Sequence, residues 1–151
     1  MYKACIAVID AARARLFVFT RTAHHGGVDE QIVEQADLFN PARRGPQVRP
    51  PDVSHHDQAF AAAVAAQLGS LASDWQVDRV VLCASPRMLG ILRGLTASLH
   101  RPGRVIDELP RDLVRMSASE LRTYLAAYGL LPPRETEERR SITHRRASAT
   151  E

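Results

Sequence analysis

Two short runs, Ala4 to Ile9 (ACIAVI) and Arg79 to Ala84 (RVVLCA), constrain the fold of this chain more than any other feature. Each has the length of a strand, is almost wholly apolar and contains β-branched residues. That pattern belongs to strands buried on both faces. Such strands need helices on both sides of their sheet, which excludes an open two-layer or all-β design. The first run ends at Asp10 and the second at Ser85, and the two strands are expected to be neighbours.

The remaining elements fall between and around these runs. Asp10-Ala11-Ala12-Arg13 reads as a turn into a second strand over Ala14 to Phe19, the close spacing predicting an antiparallel hairpin. His24-His25-Gly26-Gly27 is a second turn, and Glu30 to Leu38 a third strand. Residues 40–53, NPARRGPQVRPPDV, carry four prolines and three arginines and read as a long exposed loop. A helix is expected to open at Ser54, with Asp57 three residues on as in a capping box, and to bury Phe60, Val64, Leu68, Leu71 and Trp75. Ser85-Pro86 starts the next helix with an N-cap and a proline at its first position, and Met88, Leu92, Leu95 and Leu99 line its inner face. Val105 to Leu109 is a short strand. The last helix is capped by Ser117 with Glu120, buries Leu121, Tyr124, Leu125 and Tyr128, and stops at Gly129.

The expected order is therefore β-β-β-α-β-α-β-α. It gives a single α/β domain over residues 1–131, three-layered, with a mixed five-stranded sheet of ribonuclease-H-like type. Residues 132–151 have one isolated isoleucine, five arginines and four glutamates, and are expected to be a disordered tail.

Charge and cysteine usage narrow the function classes. Lys plus Arg is 20 against 17 acids, a net charge of +3, which is a weak electrostatic footprint for a nucleic-acid binder unless it clusters on one face. Cys5 and Cys83 sit within the two apolar runs, as expected of buried, reduced thiols on adjacent strands rather than a disulfide. Lys3 is followed by only six apolar residues before Asp10, so no secretory signal is read, and no apolar run approaches the roughly 20 residues of a membrane span. The expectation is a cytoplasmic protein that does not insert into a membrane.

In such a sheet, ligands favour the crevice beyond the carboxyl ends of the parallel strands. That places an anion-binding edge at Asp10, Arg13, Ser85 and Arg87: the Ser85-capped helix offers free N–H groups, and the arginines offer forked donors. Asp10 would orient Arg13 or Arg87, and Arg43 and Arg44 of the long loop are expected to contribute contacts. A two-metal nuclease needs several carboxylates, whereas Ser85 stands where a second acid would be required. His24-His25 and His55-His56 are adjacent pairs without the i, i+4 spacing of helical zinc ligands. No nucleophile elbow and no phosphate-cradling glycine loop is present. No catalytic residue, metal site or cofactor is therefore assigned.

Several segments in order resemble the bacterial host attachment protein family. They are Asp10 to Phe17 (DAARARLF), Asn40-Pro41-Ala42-Arg43, Phe60-Ala61, the Val80-Val81-Leu82 strand with Pro86 to Arg93 (PRMLGILR), and Asp112-Leu113. The family usually has Gly where Ala11 stands, and a longer glycine-rich, acidic loop where this chain has residues 44–54. The family is in turn remotely similar to the middle domain of archaeal and eukaryotic peptide-chain release factors, whose Gly-Gly-Gln loop corresponds to Arg44-Gly45-Pro46-Gln47. Pro46 fixes φ and removes an N–H, so the glycine geometry is not reproduced. The family's description suggests adhesion, but with no signal, membrane anchor or disulfide read in the sequence, the expectation is a non-enzymatic cytosolic domain that binds RNA, the ribosome, a nucleotide or a protein partner and affects attachment indirectly, rather than a surface adhesin. Release-factor-like hydrolysis of peptidyl-tRNA and a metal-dependent nuclease are the alternatives.

Overall fold

The computed structural model describes residues 1–43 and 50–134. Strand β1 (Tyr2–Ile9) is followed by β2 (Arg13–His24) and β3 (Gly27–Phe39), and a 3-10 turn at Pro41–Arg43 leads toward helix α1 (Pro50–Trp75). Then come β4 (Arg79–Cys83), α2 (Pro86–Arg93), a 3-10 turn at Ala97–Leu99, β5 (Val105–Leu109) and α3 (Ala118–Ala127). The sheet is mixed, in the order β3-β2-β1-β4-β5. β1 runs antiparallel to β2 and parallel to β4, and β4 is parallel to β5.

The two apolar runs lie side by side at the sheet centre, Val8 opposite Cys83. Alternate residues go to opposite layers. Cys5, Ala7, Ile9, Leu16, Val18, Val80 and Leu82 pack with Phe60, Val64, Leu68, Met88 and Leu92 of α1 and α2. Ala4, Ile6, Val8, Phe17, Phe19, Val81 and Cys83 pack with Leu121 and Leu125 of α3. Phe17 and Phe19 are fully buried, each stabilising the fold by roughly 1.5–3 kcal/mol relative to exposure. The two cysteines therefore lie on adjacent strands but in different layers, and both are free thiols.

Four features differ from expectation. α1 begins at Pro50, so Ser54 and Asp57 lie inside the helix and do not form its cap. Consecutive prolines suit a first helical turn, where no N–H is needed. β2 and β3 are longer than read, because their hairpin pairs His24 with Gly27 and continues to Arg13 opposite Phe39. A bulge at Leu16/Phe17 absorbs one extra β3 residue. α2 stops at Arg93, which leaves Leu95 exposed and hands Leu99 to the following 3-10 turn, where it is buried. In α3 the Ser117–Glu120 capping box is present in both directions, but Tyr128 is exposed, and the polar residue in the core is Arg122. Gly129, at φ 71°, ends that helix, and Leu130 N–H bonds back to the Leu125 carbonyl.

Leu131 is buried, and Arg21 Nη1 donates to the Pro133 carbonyl at 3.0 Å. The expected tail is outside the described residues from 135 onward. Among the described residues no helix is long and apolar enough to cross a membrane.

Candidate functional site

Asp10 and Ser85 follow the carboxyl ends of the neighbouring parallel strands β1 and β4. Asp10 shapes the turn into β2: its Oδ1 accepts the Ala12 N–H at 2.7 Å and the Arg13 N–H at 2.6 Å. An aspartate bonding the backbone two and three residues on is a turn-former. Ser85 caps α2, its hydroxyl accepting the Met88 N–H at 3.3 Å.

The arginines expected around Asp10 have other carboxylate partners. Arg13 makes a two-pronged bond to Asp37 of β3, Nε to Oδ1 at 2.7 Å and Nη2 to Oδ2 at 2.6 Å, with its guanidinium 5.2 Å from the centroid of the Phe39 ring. That bond holds the Asp37 carboxyl below its ordinary value. Arg87 Nη1 donates to Asp57 Oδ2 at 3.1 Å. Arg43 closes the 3-10 turn, its side chain outside the described part, and Arg44 lies outside the described residues altogether.

Two residues missing from the expected site tie it together. Asn40 is 1% exposed and Asp57 is fully buried. Asn40 Nδ2 donates to the Ala11 carbonyl at 2.8 Å and to Asp57 Oδ1 at 3.1 Å. Its Oδ1 accepts the Ala42 N–H at 3.2 Å, and its own N–H bonds the Ala12 carbonyl at 2.8 Å. The Asp10 turn, the end of β3, α1 and α2 are thus joined by one chain of hydrogen bonds that ends on Arg87. A buried carboxylate is costly without such partners. The inward face of Asp57, though not its partners, follows from helical spacing: it stands three residues before Phe60, on the same stripe as Ala61, Val64 and Leu68.

Arg87 stands at the surface, with 55% of its side chain exposed, while the carboxylate that holds it is buried. It lines a groove of about 650 Å³ between α1 and α2, together with His55, Gln58, Ile91 and Leu95. Gly90 and Gly94 form the α2 side of that groove, and a Cβ at Gly90 would meet no atom within 4 Å. A second hollow of about 350 Å³ lies on the other side of Ala59, against Phe39, Asn40 and Pro41. The main groove combines an apolar wall with one anchored cation, which suits an anionic group attached to a flat or apolar body. Among the described residues no group of three or more His, Cys, Asp or Glu side chains is placed to hold a metal ion.

Residues 34–125 match the family model described as "Protein required for attachment to host cells". No curated protein matches the chain. Among solved structures, the chain is similar to a Ppx/GppA phosphatase of Aquifex aeolicus, with 11% identity, a TM-score of 0.44, and coverage of 72% of this chain and 36% of that one. It is also similar to an archaeal protein, with 11% identity, a TM-score of 0.43, and coverage of 97% and 41%. The chain spans less than half the length of either.

Proposed function

The chain belongs to the family of proteins required for attachment to host cells, and we propose that it acts there as a non-enzymatic binding domain. Its α1–α2 groove takes an anionic partner, the phosphate of RNA or of a nucleotide, on Arg87. The observation that carries this reading is the contrast between the fully buried Asp57 and the half-exposed guanidinium that it holds. An anchored arginine loses little freedom on binding, so its forked donors are preorganised. The Ser85-capped end of α2 adds the positive end of a helix dipole beside it. The groove volume of about 650 Å³ lies within the range typical of small-ligand sites.

We read the architecture as ribonuclease-H-like, with the site at the carboxyl ends of β1 and β4, where the chain order reverses. Arg13, bonded to Asp37, orders the neighbouring turn rather than the ligand. The protein acts in the cytoplasm and affects attachment through what it binds. The test is affinity capture from lysate with the unmodified chain and with Arg87→Ala, followed by sequencing of bound RNA and mass spectrometry of bound nucleotides and proteins. The expected result is RNA or nucleotide enriched on the unmodified chain and lost with Arg87→Ala. Equal RNA and nucleotide capture by both refutes the reading. Capture of one protein, without nucleic acid, moves the site to a protein partner.

A further inference from the structure

Among the described residues, two glycines stand inside helices, Gly69 in α1 and Gly90 in α2. A glycine in a helix interior weakens it relative to alanine, and the loss is offset where a side chain would clash. A Cβ at Gly69 would stand 3.2 Å from the Ser98 hydroxyl oxygen, so the close approach of α1 to the Ala97–Leu99 turn accounts for that glycine. Gly90 is different. A Cβ there would meet no atom within 4 Å, and its backbone is ordinary helix rather than the left-handed region. Neither packing nor conformation within the described chain calls for glycine at this position.

The space in front of Gly90 is the α1–α2 groove. Arg87, Gly90 and Ile91 share one face of α2, and His55, Gln58 and Ala59 form the facing stripe of α1. The groove runs along α2 from Arg87 toward Gly94 and Leu95. Gly90 lies one turn beyond Arg87, about 4.5 Å along the helix axis. A ligand in the groove whose anion is held by Arg87 therefore extends over Gly90. With no side chain there, α2 presents a low floor flanked by Ile91 and by Leu95, which is 37% exposed. Gln58 on the other wall carries both a donor and an acceptor, which suit the polar edge of a planar heterocycle. At about 650 Å³ the groove is sized for a whole small ligand rather than for a phosphate alone.

We infer that Gly90 sets what the groove accepts, by clearing the floor for the base of the nucleotide whose phosphate Arg87 holds. This inference rests on the reading of Arg87 as the anion anchor. A side chain at position 90 occupies the space of the base and leaves the Arg87 guanidinium able to hold a phosphate. The chain thus carries a less stable α2 than alanine would give, and an open groove is the result.

The test is a titration of the full chain and of its Gly90→Ala, Gly90→Leu and Arg87→Ala variants, alongside thermal melts. The probes are adenosine 5′-monophosphate, ribose 5-phosphate, inorganic phosphate and a 5′-phosphorylated trinucleotide. Gly90→Ala should raise Tm by about 2–4 °C, because alanine is the better helix former and its methyl meets nothing. The monophosphate should bind the unmodified chain more tightly than ribose 5-phosphate or inorganic phosphate. Gly90→Leu should weaken the monophosphate by about tenfold or more, the lower end of what one methylene decides in an apolar pocket. Gly90→Ala should weaken it less, and both should leave inorganic phosphate unchanged. Arg87→Ala should weaken every probe. Trinucleotide binding at least as tight as that of the monophosphate identifies a strand as the source of the nucleotide; weaker binding identifies a free nucleotide. The inference is overturned, with the Arg87 reading intact, if Arg87→Ala weakens the probes while both Gly90 variants bind the monophosphate normally. Ribose 5-phosphate binding as tightly as the monophosphate, or a Tm lowered by Gly90→Ala, overturns it in the same way. If the monophosphate does not bind, or Arg87→Ala changes nothing, the Arg87 reading fails and this inference with it.

Discussion

Arg122→Ala should destabilise the domain by about 3 kcal/mol, through contacts that tie α3 to the sheet. Arg122 is 2% exposed; its Nε and Nη2 hold Glu30 of β3 at 2.6 and 3.0 Å, and its guanidinium lies 4.8 Å from the centroid of the Phe19 ring. Two charge-assisted bonds at about 1.5–3 kcal/mol each and one buried cation–π contact at about 1 kcal/mol set the gross term. Two facts reduce it. Nη1 is buried without a hydrogen-bond partner, which already costs about 1–3 kcal/mol in the parent. The Glu30 side chain is 27% exposed and regains water when Arg122 is removed. A net loss of about 3 kcal/mol lowers Tm by roughly 6–12 °C for a chain of this size. Arg122→Met keeps the apolar stem against Phe19 and should cost about 1 kcal/mol. The Arg122 hydrogen bond holds the Glu30 carboxyl below its ordinary value, so this contribution is present above that ordinary value and is lost as pH falls through the lowered one. Thermal melts of the parent and Arg122→Ala chains at neutral pH and at successively lower pH should therefore converge. A Tm drop under about 2 °C at pH 7, or a difference that grows in acid, would refute the reasoning.

Three further outcomes follow from particular contacts. Burial pushes the Cys5 and Cys83 thiols up to about 12, and they lie in different layers, so native protein should label slowly at both and form no intramolecular disulfide under oxidant; rapid native labelling would contradict this. Truncation after Leu131 removes the Arg21 bond to the Pro133 carbonyl at an exposed position and should lower Tm by no more than a few degrees, and a larger drop would show that residues 132–151 dock. RNA and DNA incubated with Mg²⁺ or Mn²⁺ should remain intact, because Asp10 is engaged by the Ala12 and Arg13 N–H groups and Ser85 stands where an acid would be required; metal-dependent cleavage abolished by Asp10→Asn would overturn that assignment.

The elements that announced themselves in the sequence are those in which one local rule decides. The apolar runs at Ala4–Ile9 and Val80–Cys83 take the sheet centre, and the Ser85 and Ser117 caps start α2 and α3. What stayed hidden depends on contacts between distant residues. Asp57 read as a helix cap because Ser54 precedes it by three, yet α1 starts four residues earlier and turns Asp57 inward toward Asn40 and Arg87. Arg122 lies in a helical pattern that gives no hint of Glu30, 92 positions away, or of the Phe19 ring beneath it. The abundance of arginine says little about anions, because many guanidiniums bond internally. Arg104 donates to the carbonyls of Ala72, Val77 and Leu99, and Arg15 to those of Val114 and Met116 as well as to Glu34. The fold brings Asp10 and Ser85 to neighbouring strand ends with Arg87 in the first turn of α2, and turns Arg13 to Asp37; the wiring through Asn40 and Asp57 required the fold.

The central claim is that Arg87, held by Asp57, binds an anionic partner in the α1–α2 groove. It is tested most directly by the affinity of captured RNA or nucleotide for the unmodified chain and for Arg87→Ala, measured across a series of salt concentrations. The account predicts that Arg87→Ala keeps the melting transition, weakens binding at low salt by about tenfold, and lowers the slope of log affinity against log salt by about one contact's worth. Affinity and salt slope that are the same for both chains, with Arg87→Ala folded, would contradict it.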